Sequence, residues 1–140
     1  MPGFIPDASV TLPWCFSDEA TPWTESLLNR IVAGEEVLVP AHWAMEVANG
    51  LLMAARRGRV TEQQVSDFVE DLASLPIRIE PASAPAEWSV VLDLAQRHRL
   101  TAYDAAYLEL AMRTQTPLAT LDGDLLRAAV AEQVQLVEEL

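Results

Sequence analysis

The chain contains no lysine, and its nine basic residues are all arginine. Against them stand 21 aspartate and glutamate residues, which give a formal net charge of -12. This charge argues against a protein that holds nucleic acid through a broad basic surface. The argument is limited, because bound divalent ions neutralise carboxylates, and a nuclease can grip phosphate through metal ions and a few local arginines.

Other features are also absent. The single cysteine, Cys15, excludes a disulfide within the chain and fits a reducing compartment. No apolar run approaches the length of a membrane span, and the first residues lack the basic start of a secretory signal and meet Asp7 early. We therefore expect a cytoplasmic protein without a membrane segment. The lack of a glycine-rich phosphate loop disfavours a nucleotide-binding protein.

The 140 residues are 51% hydrophobic and 21% charged, as expected of one folded domain over 1–140. Turn residues and apolar patterns predict short strands at 4–9, 37–39, 77–80, 117–120 and 134–137. Helices are predicted between them, over 21–34, to about 57, over 61–72, after 85, over 101–113 and from 122. This alternation predicts an α/β fold in which helices cover both faces of a parallel sheet.

Several details of this pattern can be tested against a structure. Pro6 cannot donate to a sheet ladder, so the first strand must begin late or carry the proline at a non-bonded position. Three helices have predicted inward stripes. These are Trp43, Val47, Leu51 and Ala54; Val65, Phe68, Val69 and Leu72; and Trp88, Val91, Leu92 and Ala95.

Four carboxylates follow the ends of predicted strands or lie near helix starts. Asp7 follows the first strand, Asp122 follows the fourth, and Asp104 lies in the first turn of its helix. In an open parallel sheet, functional groups gather outside the carboxyl ends of the strands, so these three acids are predicted to meet at one edge. Glu46 lies in the second turn of the helix after the second strand and can reach the same crevice.

Each acid also has a simpler interpretation. Asp104 stands three residues after Thr101, close to capping-box spacing, and Asp122 is an ordinary helix cap. Glu46 alone can be a solvated helix residue. Asp7 is harder to dismiss, because a carboxylate at the end of a buried strand is disfavoured unless something pairs with it. The coincidence of four such acids favours a shared metal site.

Four segments resemble the motifs of PIN-domain ribonucleases, and among them the VapC-like toxins of bacterial toxin-antitoxin pairs. The segments are IPDASV at 5–10, Pro40 with WAMEVAN at 43–49, LTAYDAAY at 100–107 and ATLD at 119–122. The resemblance runs in order along nearly the whole chain, and the TAYDAAY string is its most specific part. It implies a three-layer α/β/α fold around a central, mainly parallel five-stranded sheet, a homodimer, RNA cleavage that depends on Mg²⁺ or Mn²⁺, and a cognate antitoxin as partner.

The resemblance also implies roles for individual residues. By position, the acidic quartet of the family corresponds to catalytic and metal-binding Asp7, Glu46, Asp104 and Asp122. Accessory positions correspond to the Ser9 and Thr120 hydroxyls and the Asn49 amide, while Asp124 is a fifth acid that either joins the metal shell or faces solvent. We expect Asp7 and Asp104 to be the principal ligands, with Glu46 and Asp122 completing the shell or orienting water.

Two other functions remain open at this point. A protein of this fold can be a catalytically silent binding or regulatory subunit, although the presence of all four acids speaks against it. A metal-dependent hydrolase of small phosphate esters is the second alternative, because fold alone does not fix function. The one basic cluster, Arg56, Arg57 and Arg59, either contacts phosphate or is a solvated helix end.

Overall fold

The computed structural model describes residues 2–81 and 84–138, without the side chains of residues 85 and 86. The described strands are β1 (Ile5–Pro6), β2 (Val37–Val39), β3 (Ile77–Ile79) and β4 (Leu118–Ala119). The described α-helices are α1 (Ala8–Thr11), α2 (Pro22–Val32), α3 (Trp43–Arg56), α4 (Glu62–Ala73), α5 (Pro85–His98), α6 (Ala102–Thr114) and α7 (Gly123–Ala131), with a 3₁₀ turn (Leu12–Trp14) after α1. The predicted α/β class is confirmed.

The strands pair in parallel, β1 with β4 and β2 with β3. Single parallel bridges join Phe4 to Val37 and Leu118 to Leu136. The predicted five-stranded sheet is therefore not confirmed as a continuous ladder over the described residues. The structure has two pairs of strands linked by one bridge, and the last predicted strand is reduced to another bridge.

Proline explains the gap between β1 and β2. The amides of Ile5 and Asp7 donate to carbonyls of the β4 segment at 2.8 and 3.1 Å, so Pro6 between them faces β2. On that side Leu38 N donates to the Phe4 carbonyl at 3.2 Å. In the register of the bridge, the next ladder bonds would need amide hydrogens from Pro6 and Pro40, and proline has none. Pro6 is thus tolerated at a position not bonded to β4.

Alternate strand residues enter two separate cores, as the period of a strand requires. One core joins Phe4, Val37 and Ala119 to α2, and the other joins Ile5, Leu38 and Leu118 to α3, α5, α6 and α7. Helices therefore cover both faces of the paired strands, which confirms that prediction. No helix in the described ranges has both the length and the apolar character to cross a membrane.

Three local predictions are corrected. The first strand does not reach residue 9 but ends at Pro6, because Asp7 accepts a hydrogen bond from Val10 N and begins α1. On α4, Val65, Phe68 and Leu72 pack against the core as predicted but are only partly buried, and Val69 is 51% exposed. On α5, Trp88 and Leu92 are exposed, whereas Val91 and Leu94 are buried. Part of the predicted turn over 81–85 lies outside the described residues.

The remaining α3 stripe and the helix starts are confirmed. Trp43, Val47, Leu51 and Ala54 are all buried on α3. Thr21 and Thr61 form capping boxes on α2 and α4. Thr101 caps α6, with its Oγ1 accepting from Asp104 N at 3.1 Å, so this cap also sets the first turn that carries Asp104.

We predict that Thr101→Ala lowers the free energy of unfolding by about 1 kcal/mol, because it removes the hydroxyl that satisfies a first-turn amide. Thr101→Ser keeps the hydroxyl and is the matched control. Urea unfolding of the three proteins measures the effect. Equal stability of the alanine and serine variants would show that the cap contributes nothing.

Candidate metal centre

Asp7 is the most buried of the four predicted acids, with 4% of the residue exposed. Ser9 Oγ donates to Asp7 Oδ1 at 2.5 Å, and Val10 N donates to the same oxygen at 3.3 Å. Thr120 Oγ1 donates to Asp7 Oδ2. Both carboxylate oxygens therefore have hydrogen-bond donors, which is what a buried carboxylate requires.

The two hydroxyls that serve Asp7 are themselves held by backbone amides. Leu121 N donates to Ser9 Oγ at 2.8 Å, and Asp122 N donates to Thr120 Oγ1 at 3.0 Å. Each hydroxyl thus accepts from the segment after β4 and gives its own proton to Asp7. This network joins the end of β1 to the end of β4, and it explains why Ser9 and Thr120 accompany Asp7.

Burial raises the pKa of Asp7 to about 6, and the charge of Asp104 adds to the effect. The hydrogen bonds from Ser9, Thr120 and Val10 act in the opposite direction but are outweighed by desolvation. Asp7 therefore titrates closer to neutral pH than an ordinary aspartate. Below about pH 6 it holds a proton, and above that pH it is a buried negative charge.

The side chain of Glu46 accepts a hydrogen bond from a buried tyrosine. The Tyr107 hydroxyl donates to Glu46 Oε1 at 2.8 Å, and Tyr107 is 1% exposed. His42 Nε2 lies 3.4 Å from the same oxygen without making a hydrogen bond. Burial raises the pKa of Glu46, and it lowers the pKa of His42 despite the opposing Tyr103 backbone and Asp104 charge. His42 is thus neutral at pH 7 and does not balance the acids.

Asp104 is the point at which the four acids meet electrostatically. Burial is the largest cause that raises the pKa of Asp104, followed by the charges of Asp122 and Glu46. The charge of Asp104 in turn raises the pKa of Asp7. Asp104 therefore lies within electrostatic reach of each of the other three acids.

The helix-cap interpretation of Asp122 is also correct. Asp122 Oδ1 accepts from Leu125 N at 3.0 Å and begins α7. One carboxylate oxygen of Asp122 thus caps α7, while the negative charge of Asp122 raises the pKa of Asp104. The structural and functional interpretations of this residue do not exclude each other.

Two predicted accessory residues lie apart from the acid cluster. Asp124 has a side chain that is 62% exposed and pairs with Arg127 at 2.6 Å, so it faces solvent. Asn49 is exposed on α3, one turn after Glu46, and its side chain makes no hydrogen bond to any other described residue. The structure therefore gives neither residue a contact with the other acids.

Within the part of the chain that the structure describes, no arginine pairs with any of the four acids. Six of the nine arginines form ion pairs with carboxylates outside the quartet: Arg30, Arg59, Arg78, Arg97, Arg113 and Arg127. Over residues 2–81 and 84–138, the one ion-pair contact of the quartet is that between His42 and Glu46. Repulsion among these acids is thus relieved by protonation or by a bound cation.

The donor set suits a hard divalent ion. Across the described part of the chain, no three histidine, cysteine, aspartate or glutamate side chains form a ready-made metal group. An ion held directly by only one or two carboxylates agrees with this finding. Mg²⁺ takes oxygen ligands, keeps several waters and commonly uses one or two carboxylates.

Sequence reasoning missed the aromatic support of the site. His42 packs edge-on against the Tyr107 ring, with 4.9 Å between centroids, and contacts Tyr103 at 5.5 Å. Two signals were present in the sequence: the four-residue spacing of His42 and Glu46 on one helix face, and the two tyrosines that flank Asp104 in the TAYDAAY string.

The fold and the site define an α/β protein with an acidic centre at the carboxyl edge of parallel strands. A family model, PIN domain, matches residues 4–131. The chain therefore belongs to the PIN-domain family, and the resemblance noted in its sequence is confirmed.

The chain is similar to curated proteins of known name. Ribonuclease VapC3 of Pyrobaculum aerophilum is 38% identical over 82 residues, which are 59% of this chain and 63% of that protein. The chain thus spans less than two thirds of that relative. Ribonuclease VapC12 of Mycobacterium tuberculosis is 32% identical over 96 residues, covering 69% of this chain and 71% of that protein. These relatives support a VapC-like member of the family.

A solved structure shares the fold. The crystal structure of PAE2754 from Pyrobaculum aerophilum has a TM-score of 0.71 with this chain at 23% sequence identity. The match covers 91% of this chain and 84% of that one. The likeness shows that the arrangement of strands and helices described above is that of a known fold.

The raised pKa of Asp7 predicts how stability depends on pH in the presence of a chelator. The folded state holds this proton more tightly than the unfolded chain, where the pKa is near 3.8. The contribution to stability is therefore present at low pH and lost as the pH rises through about 6. Between pH 5 and 7.5, the native protein is expected to lose on the order of 1 kcal/mol relative to Asp7→Asn.

Urea unfolding of both proteins at the two pH values, with EDTA throughout, measures this difference. The asparagine variant cannot titrate at position 7 and serves as the reference for all the other acids. Parallel pH dependence in the two proteins would contradict the assignment of the raised pKa to Asp7.

Proposed function

We propose that the protein is a metal-dependent endoribonuclease that hydrolyses RNA phosphodiester bonds. The observation that carries the proposal is the placement of Asp7 and Asp122 at the ends of β1 and β4, linked through Thr120, with Asp104 near enough for its charge to act on Asp7 and for the charges of Asp122 and Glu46 to act on it. Within the described residues, no arginine pairs with any of these four acids. Membership of the PIN-domain family and relatives named as ribonucleases support RNA as the substrate. The six paired arginines leave few cations for phosphate, so metal ions are the natural contact.

Mg²⁺ is the proposed cofactor, with Mn²⁺ as a substitute. Asp7 and Asp104 would hold it, with Glu46 and Asp122 as further oxygen donors. When bound, such an ion neutralises charge on the phosphate and favours deprotonation of an attacking water. No group in the site is an obvious protein nucleophile: the Ser9 and Thr120 hydroxyl protons are already committed to Asp7.

The protein residues would position and tune the carboxylates. Ser9 and Thr120 hold Asp7 in one orientation and oppose the rise in its pKa. Tyr107 fixes one oxygen of Glu46 and leaves the other free to orient water or ligate. The Thr101 cap fixes the first turn of α6, so Asp104 is carried on a rigid element.

The VapC-like similarity further supports a role as the toxin of a toxin-antitoxin pair. The partner would be a cognate antitoxin protein, and the active form a homodimer. A basic side chain of the antitoxin inserted among the four acids would supply the missing positive charge and block metal binding. Co-purification with a neighbouring gene product and the mass of the assembly in solution would test both points.

The test of the nuclease proposal is cleavage of structured and single-stranded RNA by the purified chain with Mg²⁺ or Mn²⁺. We expect Asp104→Asn to lower the rate by at least about 100-fold, the magnitude seen when a group that stabilises transition-state charge is removed. Asp124→Asn changes a nearby acid that pairs with Arg127 and is the matched control, with activity expected to be unchanged.

Chelation and substrate choice separate the alternatives. EDTA is expected to abolish cleavage and excess Mg²⁺ to restore it. A silent binding subunit would bind RNA without cutting it under any metal condition. A small-phosphate hydrolase would hydrolyse phosphate esters and leave RNA intact, and either result would overturn the proposal.

Tyr107→Phe provides an independent test of how Glu46 is positioned. Loss of the hydroxyl frees the Glu46 carboxylate, and partners that orient metal ligands typically contribute about 10- to 100-fold to affinity or activity. We expect the Mg²⁺ concentration for half-maximal cleavage to rise. An unchanged Mg²⁺ dependence together with unchanged activity would show that the Tyr107 hydrogen bond has no functional role.

A further inference from the structure

Three large apolar side chains are exposed next to the acids. Each directly precedes a carboxylate of the site and is substantially open to solvent. They are Met45 before Glu46 (68% exposed), Tyr103 before Asp104 (60%) and Leu121 before Asp122 (43%). We refer to Met45, Tyr103 and Leu121 as the apolar rim. Three of the four acids thus directly follow an exposed apolar residue in the sequence.

Tyr103 is the aromatic member of the rim and is supported from behind. The His42 ring lies 5.5 Å from the Tyr103 ring at 46°. His42 in turn packs edge-on against Tyr107, which is buried in the core. The three rings form a connected series from the core to the surface, so the exposed Tyr103 ring is held in place before any ligand arrives.

The charge of the protein limits how RNA can be held. Among the described residues, only Arg56, Arg57 and Arg99 are arginines without an ion pair. The net charge of -12 repels a polyanion in addition. Phosphate contacts therefore provide little affinity, and contacts to the bases must contribute a large share.

We propose that Tyr103, backed by His42, is a stacking platform for an unpaired base next to the cleaved phosphate. Met45 and Leu121, which directly precede two other acids in the sequence, would pack against the neighbouring nucleotides. Stacking on an aromatic ring requires an unstacked base, which a single strand or a loop provides and a continuous duplex does not. This inference rests on the proposed function and adds to it the residue that binds a base of the substrate.

A protein partner is the other occupant that an apolar rim can accept. RNA is favoured because the strand that is cut must reach the acids, and Tyr103 directly precedes Asp104 and contacts His42, which lies 3.4 Å from Glu46. The exposed face of Tyr103 is also a flat π-surface on which any base can stack. A protein contact at Tyr103 is an outcome that the experiment below distinguishes.

RNA binding is measured with the Asp7→Asn variant, because this variant is expected not to cleave the RNA during the measurement. A fluorescent single-stranded RNA of mixed sequence is compared, by anisotropy with Mg²⁺, with a ribose-phosphate strand of equal length without bases. Tyr103→Ala is expected to weaken RNA binding by about 10-fold or more, in line with the loss of one stacked base. Tyr103→Phe should keep most of the affinity.

Two controls make the result specific. Leu92→Ala removes a similarly exposed apolar side chain on α5 and is expected to leave binding unchanged. The strand without bases should bind weakly to the parent and to Tyr103→Ala alike. Equal loss on both strands, or RNA binding by Tyr103→Ala as tight as that of the parent, overturns the platform. Equal binding of the two strands by the parent protein also overturns the platform.

Cleavage assays of the same substitution with Asp7 intact separate this inference from the proposed function. Base-dependent binding through Tyr103 without any metal-dependent cleavage would support the platform and refute the nuclease. Metal-dependent cleavage with a KM that Tyr103→Ala does not change would support the nuclease and refute the platform. Normal RNA binding with loss of a co-purified protein partner would assign Tyr103 to a protein interface and refute the platform.

Discussion

The burial of one carboxylate between two strand ends is the constraint on which the rest of the site depends. Asp7 closes β1, begins α1 and accepts from Ser9 and from Thr120 at the end of β4. Backbone amides after β4 in turn donate to the Ser9 and Thr120 hydroxyls. The ends of β1 and β4 therefore cannot separate without exposing Asp7 to water or removing its hydrogen-bond donors. Asp104 then lies within electrostatic reach, and through it the remaining two acids.

This arrangement works against stability in the absence of a cation. Burial raises the pKa of Asp7, Glu46 and Asp104, which means that burial disfavours the ionised form of each of these carboxylates. A fold selected for stability alone would place apolar or paired groups here, and local conflicts of this kind concentrate at functional sites. The aromatic series from Tyr107 through His42 to Tyr103 gives the anionic centre a rigid support without adding positive charge at pH 7.

Sequence reasoning succeeded where the signal is local and failed where it depends on contacts across the fold. The helix starts at residues 21, 61 and 101 and the α3 stripe follow from spacing within single helices, and they are present as predicted. The interruption of the ladder between β1 and β2 was not predicted, because it arises from Pro6 and Pro40 together, and these two residues belong to different segments of the chain. The orientation of α5 was missed because choosing between Leu92 and Leu94 needs the position of α6. The Tyr107 contact with Glu46 spans 61 residues and has no local signature.

The central claim is that the four acids form one unbalanced negative centre that a divalent cation relieves. Its most direct test is the free energy of unfolding at pH 7.5 as a function of Mg²⁺ concentration, with NaCl controls of matched ionic strength. We expect stability to rise with Mg²⁺ as a ligand that binds only the folded state requires, and the rise to disappear in Asp104→Asn but not in Asp124→Asn. An Mg²⁺ effect no larger than that of matched NaCl would contradict the account.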